Sequence, residues 1–258
     1  MASLLRSLRR KAILRGNPIA DQLWQQGIAE LPLLRHIEHG DFARLREYAA
    51  LFLAEKSMLG AHDLVLDDAL KLSIAIQACV PILHLGFSLY DDWQTIIVYP
   101  SEFIATHEYT DESGVVHATR DILAGEAWLR GPLVVSAAEV RSSGEEDGVN
   151  VVIHECAHKL DMLNGDANGF PPLHRGMDRV RWSTVFQSAY DDFCSRVDAN
   201  EATSIDPYAA ENPAEFFAVF SEAFFEIPQQ LLHAYPAVYE QLKDYYRQDP
   251  AKAFGPLS

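Results

Sequence analysis

The sequence predicts an α+β fold, mostly helical, with a small and mainly antiparallel sheet placed just ahead of one motif-bearing helix. Three observations carry that expectation. Apolar side chains recur at helical spacing through residues 1–90, residues 95–136 hold short β-branched and aromatic runs, and 150–165 reads as a helix containing His154-Glu155-x-x-His158. At 258 residues with 48% apolar composition the chain can bury a substantial core. It shows no repeat, low-complexity segment or dividing linker. Residues 1–258 are therefore expected to form a single domain, with 1–90 a helical part packed on a core of 91–258.

The first fifteen residues carry Arg6, Arg9, Arg10, Lys11 and Arg15 without an acid, interleaved with Leu4, Leu5, Leu8, Ile13 and Leu14. Such a pattern suits a membrane-surface or partner-binding helix, or a transit peptide; a frayed basic tail lying on an acidic body is the simpler reading. Helices are expected at 21–37 and at 41–58, the second with Phe42, Leu45, Tyr48, Ala49, Leu51 and Phe52 on helical spacing. A third, strongly apolar helix over 66–82 ends near Pro81. The runs 95–99, 103–109, 115–119 and 133–136 read as strands, with Asp111-Glu112-Ser113-Gly114 as a turn. Residues 133–136 are the candidate edge strand, where an extended peptide substrate could add to the sheet. An acidic loop at 142–148 leads into the motif helix, which Asn164-Gly165 stops. Residues 166–175 are irregular, and helices are expected at 180–197, 213–226 and 237–246.

Composition excludes some functions. The net charge of −16 argues against direct nucleic-acid binding, which needs clustered Lys and Arg. Cys79, Cys156 and Cys194 are odd in number and form no C-x-x-C pair, so they read as buried thiols of a reducing compartment. No signal peptide and no apolar run long enough for an integral membrane segment are evident, which makes the cytoplasm the expected location.

The chemistry is concentrated in the motif. Histidines four apart lie on one helix face, so His154 and His158 can offer two imidazoles to one metal ion, with Glu155 beside the position a reacting water would take. Val151, Val152 and Ile153 before the first histidine, with Ala157, Leu160, Met162 and Leu163 after it, make this a buried helix facing an internal cleft. A zinc hydrolase is the expectation, and a third ligand is required. The metzincin pattern would put a histidine at position 164, which is Asn, so that class is excluded. Asp161 lies one turn past His158 and is poorly placed for the same ion; it reads either as orienting a histidine or as a solvated acid. Glu215 is the stronger candidate, in the first turn after Asn212-Pro213 and beside Phe216 and Phe217, where a carboxylate needs a partner. Glu211 and Glu222 are rivals: Glu222 could instead fix a histidine, and Glu211 could be a capping acid.

The runs HECAHKLDMLNGDANGFPPLH and YAAENPAEFFAVFSEAFF, with Pro81-Ile82-Leu83, Val98-Tyr99-Pro100 and Gly125-Glu126-Ala127-Trp128 upstream, cover most of the chain. In them the sequence resembles the Mlc titration factor A family of bacterial zinc peptidases, which resemble the catalytic domain of anthrax lethal factor. The resemblance implies a zincin-like fold, a bound Zn2+ and aminopeptidase-type activity on short peptides. Position by position, it implies His154, His158 and Glu215 as zinc ligands, Glu155 as general base, and Tyr208 as the phenol facing the reacting carbonyl oxygen. It also points to His117 as a histidine near the metal, against the alternative of a strand histidine unrelated to it. A fourth protein ligand would leave no place for water, implying a latent form in which the hairpin must move. Cys156 departs from the family, where an aromatic is common. The family name further implies binding of Mlc, a repressor of glucose-uptake genes, and leaves open a primarily non-catalytic, regulator-binding protein. A purely structural zinc site fits poorly with the Glu155 position and the absence of Cys-rich ligation.

Overall fold

The computed structural model describes residues 2–16, 18–101, 103–110, 116–123, 125–127, 131–144 and 146–254, with the strands inside 102–130 described by their backbone alone. The chain opens with helix α1 (Ala2–Gly16), which packs on α3 (Phe42–Glu55). Arg10 holds it there, its fork meeting Glu55 at 2.8 and 3.0 Å and Asp91 at 2.5 Å, while Arg6 also pairs with Asp91. The basic segment thus lies as a helix on the acidic body.

Helix α2 (Asp21–Ala29) stops well short of 37 and is followed by a 3-10 turn over Pro32–His36. Pro32 lacks an N–H and disfavours helical geometry at Leu31, which is why one expected helix becomes two pieces. After α3, which ends at Glu55 and not at 58 as expected, comes a short strand, β1 (Ser57–Gly60). Helix α4 (Asp68–Cys79) is capped by Asp67, which accepts from the Leu70 N–H at 2.7 Å. Then follow β2 (Thr95–Tyr99), β3 (Phe103–Thr110), β4 (Val116–Leu123), β5 (Gly125–Ala127) and β6 (Leu133–Ser136). The turn expected at 111–114 lies outside the described residues. The second half is helical: α5 (Ala137–Ser142), α6 (Val151–Asp161), α7 (Arg179–Asp198), α8 (Pro213–Glu226), α9 (Pro228–Ala234), α10 (Pro236–Tyr246) and α11 (Ala251–Phe254).

The expectation of a mainly antiparallel sheet is corrected. The main sheet has the order β1-β2-β6-β5, with β1, β2 and β6 parallel and only β5 antiparallel. Strands β3 and β4 pair antiparallel as a separate hairpin. The physical reason is the crossover: α4 lies between β1 and β2, so this pair forms a β-α-β unit and must run parallel. The candidate edge moves too. Strand β6 sits inside the sheet between β2 and β5 with all four residues buried, and β5 takes the edge.

One cluster of buried apolar side chains runs from Ile19 on the N-terminal side to Ala251 near the other end. Helices α6 and α8 lie at its centre, packed on each other, and α6 also meets β5 and β6. Among the described residues no helix is long and apolar enough to cross a membrane. Two backbone positions matter below. Arg247 ends α10 in the left-handed region at φ 55° and ψ 37°, where a side chain costs about 1 kcal/mol or more that glycine avoids. Gly169, at φ +76°, passes so close to the Pro213 carbonyl that an added Cβ would collide with its oxygen. Gly169→Ala should therefore lose roughly 2 kcal/mol or more of stability through strain and forced separation of the loop from α8. Urea unfolding measures this, and an unchanged midpoint would contradict the close approach.

Candidate metal centre

Helix α6 begins at Asn150, whose side-chain oxygen accepts from the Ile153 N–H at 3.0 Å. Val151, Val152, Ile153, Cys156, Ala157 and Leu160 are all buried, which fixes the helix about its own axis. The face carrying His154 and His158 then turns toward α8. Helix α8 begins at Asn212, which caps the N–H groups of Ala214 at 2.9 Å and Glu215 at 3.1 Å, with Pro213 in the first turn. That cap places Glu215 opposite the two histidines.

The three donor atoms form a nearly equilateral triangle. His154 Nε2 and His158 Nε2 are 3.1 Å apart, and Glu215 Oε2 lies 3.0 Å from the first and 3.3 Å from the second. Tetrahedral coordination with bonds of about 2.0–2.1 Å would put its ligand atoms about 3.3 Å apart. Two imidazoles and a carboxylate converge at that spacing, so the residues present fit a metal ion. Glu155 is 2% exposed and lies between the two histidines in sequence. Tyr208, in a 3-10 turn at Pro207–Ala210 that packs against α8, has its ring centroid 6.2 Å from that of His154 and is 45% exposed.

The surrounding groups explain how the triangle is held. Glu222, two turns along α8 from Glu215, meets His154 Nδ1 at 2.7 Å through one oxygen and accepts the Asn150 N–H at 2.5 Å through the other. Asn150 Nδ2 in turn donates to Gln77 Oε1 at 2.8 Å and Glu226 Oε1 at 2.6 Å. Glu226 completes its set by accepting the Glu146 N–H at 3.0 Å. Burial pushes Glu226 up to about 7, against the opposing pull of its Asn150 and Glu146 donors. At the metal-ligand face, burial works against the charge on His154, yet the Glu222 and Glu215 carboxylates hold its pKa well above the usual histidine range. Glu215 is likewise disfavoured by burial but held well below the usual carboxylate range by the two histidines. Metal binding at these donors would compete with protons for the same atoms.

Asp161 does not stand in solvent, and its charge acts on His158. It is buried, and its Oδ2 accepts the N–H groups of Asn168 and Gly169, both at 2.7 Å, tying the 166–170 loop to the end of α6. Glu222 is the group that orients His154. Glu211 is exposed and outside the triangle. His117 stands on β4 opposite Tyr109, and its side chain lies outside the described residues. Cys156 is fully buried, and burial pushes its thiol up to about 12, so it packs as an inert apolar group. Asn150 and Glu226 were missed in the sequence. An Asn directly before an apolar helix was the available signal for the first, and none marked the second.

The chain belongs to a metallopeptidase family. The family model that matches it, over residues 5–247, is that of the glucose-regulated metallo-peptidases M90. Mlc titration factor A of Salmonella arizonae is 37% identical over 238 residues, covering 90% of this chain and 93% of the relative. Mlc titration factor A of Klebsiella pneumoniae subsp. pneumoniae is 35% identical over 233 residues, covering 90% of this chain and 88% of that one. The likeness read from the motifs therefore extends along nearly the whole sequence.

Because Glu222 fixes the tautomer and direction of His154, Glu222→Ala should weaken metal affinity roughly 10–100-fold. Competition with a chromogenic chelator measures it, and an unchanged affinity would remove Glu222 from the support of the site.

Proposed function

We propose that this protein is a zinc-dependent peptidase of the aminopeptidase type, with His154, His158 and Glu215 as the zinc ligands. The observation that carries the reading is the triangle of donor atoms 3.0–3.3 Å on a side, two of them from the helix α6 that also bears Glu155 and the third from α8. Two imidazoles and one carboxylate are a ligand set that catalytic zinc uses while keeping a fourth position for water. Zinc, when bound, supplies Lewis acidity and brings the pKa of a water molecule down to about 7. Glu155 acts as general base, taking the proton of the attacking water and passing it to the leaving amine. Tyr208, beside the His154 ring, donates a hydrogen bond to the developing oxyanion. The substrate is a short peptide with a free α-amino group, and the protein works in the cytoplasm as one domain, 1–90 supporting the catalytic part 91–258.

His117 is a fourth zinc ligand in a latent form of the site, and movement of the β3–β4 hairpin frees the water position. The relatives bear the name Mlc titration factor A, and this chain carries a net charge of −16. Those two facts favour a second role, binding an Mlc-like transcriptional repressor through acidic surface that complements a basic DNA-binding protein. In the alternative reading that role is the primary one and the zinc site stays latent.

The deciding experiment measures zinc content together with hydrolysis of aminoacyl chromogenic substrates. Wild type and Glu155→Gln should each carry about one zinc, and only the wild type should turn over. Equal turnover in a zinc-loaded Gln variant would refute the base assignment. His117→Ala should raise peptidase activity at unchanged zinc content, whereas a fall in both would refute latency.

A further inference from the structure

Two clefts on the far side of α10 share a wall. The larger, of about 680 Å³, is bounded by the 35–41 segment and by residues on and after α10; the smaller, of about 330 Å³, lies between α10 and the 174–181 segment. Asp244 and Arg247 line both. None of the lining residues belongs to the metal centre, and the larger cleft is in the size range of small-molecule sites.

The charges around this double groove sort into committed and uncommitted ones. Asp41 is taken by His84 at 3.1 Å and Arg44 at 3.4 Å, Asp249 by Lys243 at 3.0 Å, and Arg35 by Glu146 at 2.9 Å. Asp178 caps α7 by accepting from Val180 and Arg181 N–H groups. Arg175, Arg181, Arg247 and Lys252 have no ion pair among the described residues, against three carboxylates in the same position, Glu38, Asp178 and Asp244. A local excess of free cations is notable in a chain with 37 acidic and 21 basic residues. His36 and Gln248 line the larger cleft and are more than nine-tenths buried; His36 lies against the Leu33 backbone and the Gln248 side chain, and neither imidazole nitrogen nor the Gln248 Oε1 makes a well-formed hydrogen bond among the described residues. Burial keeps His36 neutral by pushing it down to about 4, so it adds polarity to the floor without charge.

Arg247 gives the groove its centre. It occupies a left-handed helix terminus that favours glycine, and the strain of holding a long side chain there has no return in an ion pair among the described residues. We propose that the double groove around Arg247 binds a small multiply charged anion, a phosphate ester or a di- or tricarboxylate, with Arg247 as the shared anchor and Arg181 and Lys252 reaching it from either side. Guanidinium groups recognise the planar or tetrahedral oxygens of such anions through paired N–H donors.

The test is calorimetric titration of the full-length, metal-loaded protein with glycerol 2-phosphate and with succinate, weak chelators that leave the metal in place. The wild type should bind at least one of them, and which one binds separates the phosphate-ester from the carboxylate source. Arg247→Gly should weaken that binding roughly tenfold or more, while the unliganded Tm stays unchanged or rises because the backbone strain is relieved. Arg181→Gln, which leaves the backbone geometry alone, should also weaken binding. No binding of either probe by the wild type below about 10 mM, or equal affinity in both variants, would overturn the proposal.

Discussion

A single carboxylate, Glu222, sets the relation on which the centre depends. One oxygen orients a metal-facing histidine and the other accepts the backbone N–H at the start of the helix that carries it. Rotation of His154 and the position of the α6 N-terminus are thereby fixed by the same group on α8. Charged groups this deeply buried are tolerated only when paired and fully hydrogen-bonded. Glu222 meets that condition through a histidine and a main-chain donor, and Glu226 through Asn150 and the Glu146 N–H. The polar network is therefore continuous from Gln77 on α4 to the metal-facing triangle, and it crosses an otherwise apolar interface.

That network explains why the fold around the site can be so apolar. Phe216, Phe217, Phe220, Phe224 and Phe225 make α8 buried nearly all round, and such a helix could slide or rotate without losing much apolar contact. The directional bonds of Glu215, Glu222 and Glu226, spaced along its length, remove that freedom. Hydrophobic burial supplies the driving force for packing α8 against α6, and the carboxylates choose the register.

Much of this was legible in the sequence. The 3.6-residue spacing of His154 and His158, the Asn-Pro start ahead of Glu215 and the Asn-Gly stop after α6 are local signals, and the structure keeps α8 at Pro213–Glu226, the bounds expected for it. The sheet was misread because parallel pairing is non-local: nothing within the four residues of β1 or the four of β6 says which strand lies beside them. The loop contacts of Asp161 are not legible in the sequence for a related reason. Its partners are the N–H groups of Asn168 and Gly169 in a loop, and backbone donors carry no residue-type signal. Pro32, by contrast, is a local mark of the break that ends the first helix early.

The α6–α8 pair is tethered at two separated points. Glu222 and Asn150 join the helices near the beginning of α6, and Asp161 at its end holds Gly169, whose backbone passes close against the Pro213 carbonyl at the beginning of α8. Between two such fastenings the gap holding the donor triangle behaves like the span of a caliper. Its width is set by the ends, and the residues on the outer faces of either helix can drift in identity without changing the setting. Small displacements at either fastening, by contrast, are delivered to all three donors at once. A lineage could therefore retune metal fit from positions that never touch the ion, with the ligands themselves left unaltered.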